Sequence, residues 1–417
     1  MSCLRVMGGV PLEGEIKIQG SKNAVLPMMA AALLIPGKTR FENCPDIADV
    51  RAMTALLEKL GAAVTREGSV LEIDASAICP VFLTARDMAD TRGCILLLGA
   101  LAARFGEAEV SHPGGCVIGK RPVDLHLFAL AALGARLSGE EVIRCQKSCL
   151  SGAEIVFPIP SVGATQNALL AAVLADGQTW IHNAAREPEV VHLCNFLNAA
   201  GAKITGAGTP HLKICGVKRL FPVQYAVPPD RIVAGTYMAA VLSAGGRVLL
   251  KGADAEELSA VIRPLRAAGG RIKVLAEGIL AEKKQPLGAF DYVKTEPYPG
   301  FPTDMQSQFL VLASLAEGVS VVEETIFEAR FAVVPELRKM GARIYVEENK
   351  AVVEGGGQLL GNELCGRDLR GTAALVIAAL SAEGESIVRG MEYLERGYEN
   401  FVQGLRGLGA KVEEERG

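Results

Sequence analysis

The sequence repeats itself six times, and this repeat limits the fold more than any other feature. In each copy an amphipathic helical stripe ends in glycine and runs directly into an aliphatic strand. The first is DVRAMTALLEKLGAAV, with Val50, Met53, Leu56, Leu57 and Leu60 spaced for one helix face. The others close on LAALGARL, FLNAAGAKI, LRAAGGRI, LRKMGARI and LRGLGAKV. Their glycines are Gly61, Gly134, Gly201, Gly269, Gly341 and Gly409, which recur every 67 to 73 residues. Glycine enters the left-handed conformation that stops a helix at no steric cost.

Each copy also carries an earlier helix that is apolar on nearly every side: AVLPMMAAALLIPG, CILLLGALAARFG, ALLAAVLADG, YMAAVLSAGG, FLVLASLAEG and ALVIAALSAEG. Such helices belong in an interior. Short strands such as TWIHNA and RVLLKG follow them, with further strands at SVLEID and RIYVEENKAVVEGG. A unit of about 70 residues is too long for a solenoid repeat of 20 to 50. The 417 residues instead suit two α/β domains of three units each, with buried helices inside and strands outside.

Composition narrows the function classes. A net charge of −4 leaves no electrostatic footprint for nucleic acid or an anionic membrane. The longest apolar run, Ala24 to Pro36, is too short to span a bilayer, and no basic segment opens the chain as a secretory signal would. The ten cysteines are scattered without a C-x-x-C pair, so a reduced, cytoplasmic chain is expected, with neither a disulfide framework nor a zinc site. All five histidines precede residue 212.

One loop stands out, SHPGGCVIGKRPVDLHL. Gly114, Gly119 and Lys120 approach the phosphate-binding pattern G-x-x-x-x-G-K-[ST], but Arg121 stands where a magnesium-binding hydroxyl is needed, so a nucleotide triphosphatase is not indicated. Cys116 follows two glycines in a polar segment with cations nearby. It is either an inert small residue or a thiol whose thiolate those cations favour.

GSKNA, PGGCVIGKRPVDLH, SVGAT, NAAREPE, FPTDMQSQF, RDLRG and RGYE occur in this order from near the start to the end of the chain. Together they resemble the enolpyruvyl transferase family of peptidoglycan synthesis. That resemblance implies two inside-out α/β barrel-like domains, residues 21–229 and the discontinuous 1–20 with 230–417. It implies phosphoenolpyruvate and UDP-N-acetylglucosamine as substrates, with no metal and no cofactor. Cys116 matches the family's reactive cysteine, which protonates phosphoenolpyruvate and is alkylated by the phosphonate epoxide fosfomycin. Asp304 matches the base facing the sugar 3-hydroxyl. Lys22, Asn23, Arg121, Arg330, Arg370 and Arg396 match positions for phosphoenolpyruvate, a small polyanion that needs several fixed cations. Asn23, Arg92, Arg121, Pro122, Val123, Asp124, Leu125, Ser161, Val162, Gly163, Asp304 and Ile326 match positions for the nucleotide sugar.

On the residues alone, several of these have plainer readings. Lys22 could be a solvated lysine at a helix start, Asp304 a helix cap, Ile326 core packing, and Asp368 with Arg370 a surface ion pair. The chain departs from the family pattern at Tyr393, Leu394 and Glu395, at Val233 and at Ala329, none of which carries an assigned chemical role. The sister enolpyruvyl transferases of the shikimate pathway share the expected fold but lack the cysteine loop. A silent paralogue would be expected to have lost Cys116, Lys22 or Asp304.

Overall fold

The inner helices form where the sequence is apolar all round, and they end up buried all round. In the computed structural model, which describes residues 3–111, 122–139, 141–147 and 149–415, the helices are α1 (Lys22–Ala32), α2 (Ala48–Lys59), α3 (Leu96–Phe105), α4 (Asp124–Ala132), α5 (Val162–Ala172), α6 (Pro188–Ala199), α7 (Arg231–Ala244), α8 (Ser259–Ala267), α9 (Gln306–Leu315), α10 (Val334–Lys339), α11 (Leu369–Ser381), α12 (Met391–Leu394) and α13 (Phe401–Gly407). Pro27 is tolerated within α1, where it is buried. The six repeat glycines all take positive φ, from 85° at Gly134 to 100° at Gly201, as a helix stop requires.

The chain divides into two compact units. One holds the described residues of Gly20–Gly115 and Arg121–Pro228, and the other those of Met1–Gln19 and Pro229–Gly417. In the first unit α1, α3 and α5 pack on one another; in the second α7, α9 and α11 do. Each trio is the centre of its unit's own hydrophobic core. The amphipathic helices lie outside these trios: α8 buries only Val261, Ile262 and Leu265.

Each repeat closes on a small sheet with one parallel and two antiparallel pairings. In the second unit Leu12–Lys17 runs parallel to Gly246–Lys251, which pairs antiparallel with Gly278–Lys283 and through it Arg271–Leu275. The next repeat copies this with Tyr292–Lys294, Val319–Glu323, Lys350–Glu354 and Arg343–Glu347. In the last, Glu363–Cys365 is parallel to Glu385–Arg389, and the N-terminal strand Cys3–Met7 takes the next place, with Lys411–Glu415 beyond it. In the first unit the sheets are Gln224–Ala226, Lys38–Glu42, Val70–Asp74 and Ala63–Glu67; and Glu154–Val156, Gln178–His182, His211–Cys215 and Lys203–Thr205. Its remaining sheet has three strands, and a parallel bridge from Leu83 to Val110 fills the fourth place. Among the described residues no helix is long and apolar enough to cross a membrane.

Candidate active site

The turn before α9 carries the first candidate. Pro302 leads into a 3-10 turn, Thr303–Met305, and Asp304 caps no helix there. Instead its carboxylate accepts from two guanidiniums, Arg330 Nη2 and, at 3.0 Å, Arg370 Nη2. The arginine side chains are 4% exposed and the carboxylate 24% exposed. Burying two cations is costly unless they are paired, and Asp304 supplies the pairing.

Other buried groups hold the arginines in place. Arg330 Nε donates to Thr303 Oγ1 at 3.2 Å, and that hydroxyl donates to Glu324 Oε2 at 2.9 Å. Glu324 Oε1 accepts from the backbone N–H of Ile326 at 2.8 Å and of Phe327 at 3.1 Å, which fixes the following loop. Arg370 lies in the first turn of α11, where Asp368 is the cap and accepts from the N–H of Arg370 and of Gly371, both at 3.0 Å. The Arg370 guanidinium lies 5.4 Å from the Tyr398 ring centroid. Thr236 donates to the Ile232 carbonyl, so the Tyr398 hydroxyl donates to Thr236 Oγ1, 2.9 Å away. Burial alone would weaken Arg370's hold on its proton, but Tyr398, Asp304 and Asp230 outweigh it and hold the group above the usual arginine value. Arg370 Nη1 is buried with no hydrogen-bond partner among the described residues, a donor that a ligand can take up. Arg396 is half-buried in the turn after α12.

The other unit presents a second group. Ser21 caps α1 through Oγ, which places Lys22 and Asn23 in the first turn. Lys22 is 14% exposed, and its Nζ lies 3.2 Å from Oδ2 of the buried Asp49 on α2. Arg92 opens a 3-10 turn capped by Thr91 that leads into α3. Ser161 caps α5, placing Val162 and Gly163 in its first turn. A Cβ on Gly163 would lie 3.0 Å from His126 Cε1, so this turn rests on the imidazole. His126 Nδ1 is 3.1 Å from Asn167 Nδ2, and Asn167 also bonds the Ile95 carbonyl and the Gly99 N–H. Burial, followed by the charge of Arg92, lowers the His126 pKa to about 4 against the pull of Asp124, so the ring is neutral. Its Nδ1 then accepts from the Asn167 amide.

Several plain readings of the sequence give way here. Lys22 is not a solvated lysine, Asp304 is not a cap, and the buried Arg370 bonds the half-buried Asp304 rather than forming a surface pair with Asp368. Ile326 is 39% exposed on a loop, not packed in a core. Pro122 is exposed, Val123 is buried before α4, Asp124 is exposed at its first turn and Leu125 is half-buried. Cys116 and Arg121 lie outside the described residues. Asp49, Thr303, Glu324, Tyr398 and His126 were missed. Each acts through a contact distant in sequence; Thr303, Tyr398 and His126 lie within the motifs FPTDMQSQF, RGYE and PGGCVIGKRPVDLH without a role given there, while Asp49 and Glu324 lie in none of the motifs.

The chain belongs to the EPSP synthase family of carboxyvinyl transferases. The model of that family, described as EPSP synthase (3-phosphoshikimate 1-carboxyvinyltransferase), matches residues 6–405. A relative from Granulibacter bethesdensis, a UDP-N-acetylglucosamine 1-carboxyvinyltransferase, is 48% identical over 422 aligned positions covering 99% of each chain. One of the same name from Dichelobacter nodosus is 46% identical, again over 99% of each. Among solved structures, the enolpyruvyl transferase NikO from Streptomyces tendae is similar at a TM-score of 0.90 and 27% identity, covering 99% of this chain and 98% of that one.

Proposed function

We propose that this chain transfers the enolpyruvyl group of phosphoenolpyruvate to the 3-hydroxyl of UDP-N-acetylglucosamine and releases inorganic phosphate, the first committed step of peptidoglycan precursor synthesis. The observation that carries the reading is a carboxylate, Asp304, held by two buried arginines in a chain nearly half identical, end to end, to relatives of that activity. Asp304 takes the hydroxyl proton. Cys116 delivers a proton to the methylene carbon of phosphoenolpyruvate. The resulting cation-like carbon is attacked by the sugar oxygen, and the tetrahedral phosphate ketal then loses phosphate from that carbon and a proton from the new methyl group, which restores the double bond. Lys22, Arg121 and Arg396 carry the phosphate charge, with Arg330 and Arg370 also serving phosphoenolpyruvate, so the step needs no metal. Asn23, Arg92, Arg121 to Leu125, Ser161 to Gly163 and Ile326 hold the nucleotide sugar. The roles of Cys116 and Arg121 rest on sequence alone.

We also place the protein in the cytoplasm, a reading supported by nine described cysteines that are all free thiols.

Phosphate release from phosphoenolpyruvate tests the reading, with UDP-N-acetylglucosamine or shikimate 3-phosphate as acceptor. Release is expected with the nucleotide sugar only. Asp304→Asn keeps the shape but cannot accept a proton, and it should lower kcat by roughly 10²- to 10⁴-fold. Release with shikimate 3-phosphate alone would overturn the substrate assignment, and full activity in Asp304→Asn would overturn the assignment of the base.

A further inference from the structure

On the solvent-facing side of one small sheet, apart from the residues given a role above, two histidines face each other. His182 on Gln178–His182 and His211 on His211–Cys215 are direct register partners across an antiparallel pair. Their Nδ1 atoms are 3.0 Å apart. On the other side of the ring, His182 Nε2 is 3.1 Å from a carboxylate oxygen of Glu154 on the adjacent parallel strand. Trp180 stacks on His182 at 6.3 Å between centroids and 6° between planes. The Lys213 ammonium lies 5.3 Å from the centroid of the Trp180 ring.

We propose that His182 and His211 form a divalent metal site with the tetragonal preference of copper(II) or nickel(II). The argument starts with the tautomer. Glu154 accepts from Nε2–H of His182, which leaves the His182 Nδ1 lone pair bare. A carboxylate behind a histidine is also what commonly orients a metal-binding imidazole and raises its basicity. His211 Nδ1 faces that lone pair. Without metal, one proton on His211 Nδ1 bridges the two nitrogens. With metal, His211 moves that proton to its own Nε2, no proton is lost overall, and both Nδ1 atoms become ligands.

The spacing selects the metal class. At bond lengths of about 2.0–2.1 Å to imidazole nitrogen, two nitrogens 3.0 Å apart subtend roughly a right angle at the ion. That angle suits square-planar or tetragonal centres better than tetrahedral zinc. Both rings must turn for their lone pairs to meet at one point, and the half-buried His182 and exposed His211 sit on the outer face of the sheet where that turn has room. Among the described residues no cluster of three or more His, Cys, Asp or Glu is placed to hold a metal, so water completes the coordination. Register supplies the preorganisation, since the paired strands fix both backbones before the ion arrives.

The experiment is built into the chain, because Trp180 is its only tryptophan. Paramagnetic Ni²⁺ or Cu²⁺ bound between the histidines would quench it. Titrating the protein with NiCl₂ should give saturable quenching at one equivalent. The His182→Gln/His211→Gln double variant should lose that saturable phase. Glu154→Gln should weaken binding by about tenfold or more. All three positions lie on the outer face of the sheet, so unchanged thermal melts are expected and will certify the fold. With one equivalent of Cu²⁺, paramagnetic resonance should show two nitrogen ligands. Unchanged quenching in the double variant, or a copper spectrum without nitrogen coupling, would overturn the site.

Discussion

His126 shows how much one side chain can report about a site. Its pKa lies near 4 because it is buried, with the nearby Arg92 adding to the effect. The unfolded chain takes up a proton near pH 6.5, and the folded chain resists it until about pH 4. The sign follows: stability from this group is full above about pH 6.5 and is lost as the pH falls toward 4. The shift corresponds to roughly 3 kcal/mol across that window. His126→Asn keeps an acceptor for the Asn167 amide without the titration. We therefore expect the melting temperature of the wild type to fall more between pH 7.5 and pH 5 than that of the variant. Equal falls would mean the ring ionises without strain. At this scale the sequence was legible for residue types and opaque for partners. The resemblance pointed to Asp304, but nothing near it announces Arg330, 26 residues on, or Arg370, 66 residues on. Pairings between distant repeats are set by packing and leave no local mark.

At the scale of elements the repeat was legible, because helix stops and apolar helices are local properties. The buried helices, the glycine stops and the strands at RIYVEENKAVVEGG follow from periodicity and turn chemistry, and the structure pairs those strands as a hairpin. The closeness of the inner helices does not. Where α3 crosses α5, a Cβ on Gly99 would lie 2.1 Å from Asn167 Oδ1 and 2.7 Å from the Asn167 carbonyl oxygen. The backbone oxygen cannot yield without moving α5. Gly99→Ala should therefore destabilise the protein by about 1–3 kcal/mol or more, although alanine is the better helix former. Gly407 in α13 is the control: a Cβ there meets nothing within 4 Å, so Gly407→Ala should be neutral or mildly stabilising. Chemical denaturation of both variants makes the comparison, and a neutral Gly99→Ala would show that the crossing can relax.

At the scale of the whole molecule, periodicity assigns repeats to halves but cannot say where the first nineteen residues go. Strand pairing decides that, and it acts across nearly the full length of the chain. Cys3–Met7 is the interior strand between Glu385–Arg389 and Lys411–Glu415, and Leu12–Lys17 is the parallel edge of the sheet around Gly246–Lys251. Gln19 adds bonds to the Gly397 carbonyl at 3.1 Å and the Glu399 N–H at 2.7 Å. Leu4, Val6, Leu12 and Ile18 are at most 1% exposed. At about 2 kcal/mol for each fully buried aliphatic side chain, their removal forfeits roughly 8 kcal/mol, comparable to the whole stability of a domain. Residues 229–417 expressed alone should therefore fail to melt cooperatively. Residues 20–228 keep all their sheet partners and should melt as one transition. The remedy follows from the register, in which Cys3 and Glu415 are direct partners. A circular permutant that runs from 229 to 417, crosses a short linker and continues through 1–19 restores both strands with little loop to close. We expect it to recover a cooperative transition by calorimetry. If 229–417 without the added strands melts at the same temperature as the permutant, the N-terminal strands are not integral to that unit, and its reading as a discontinuous domain is wrong.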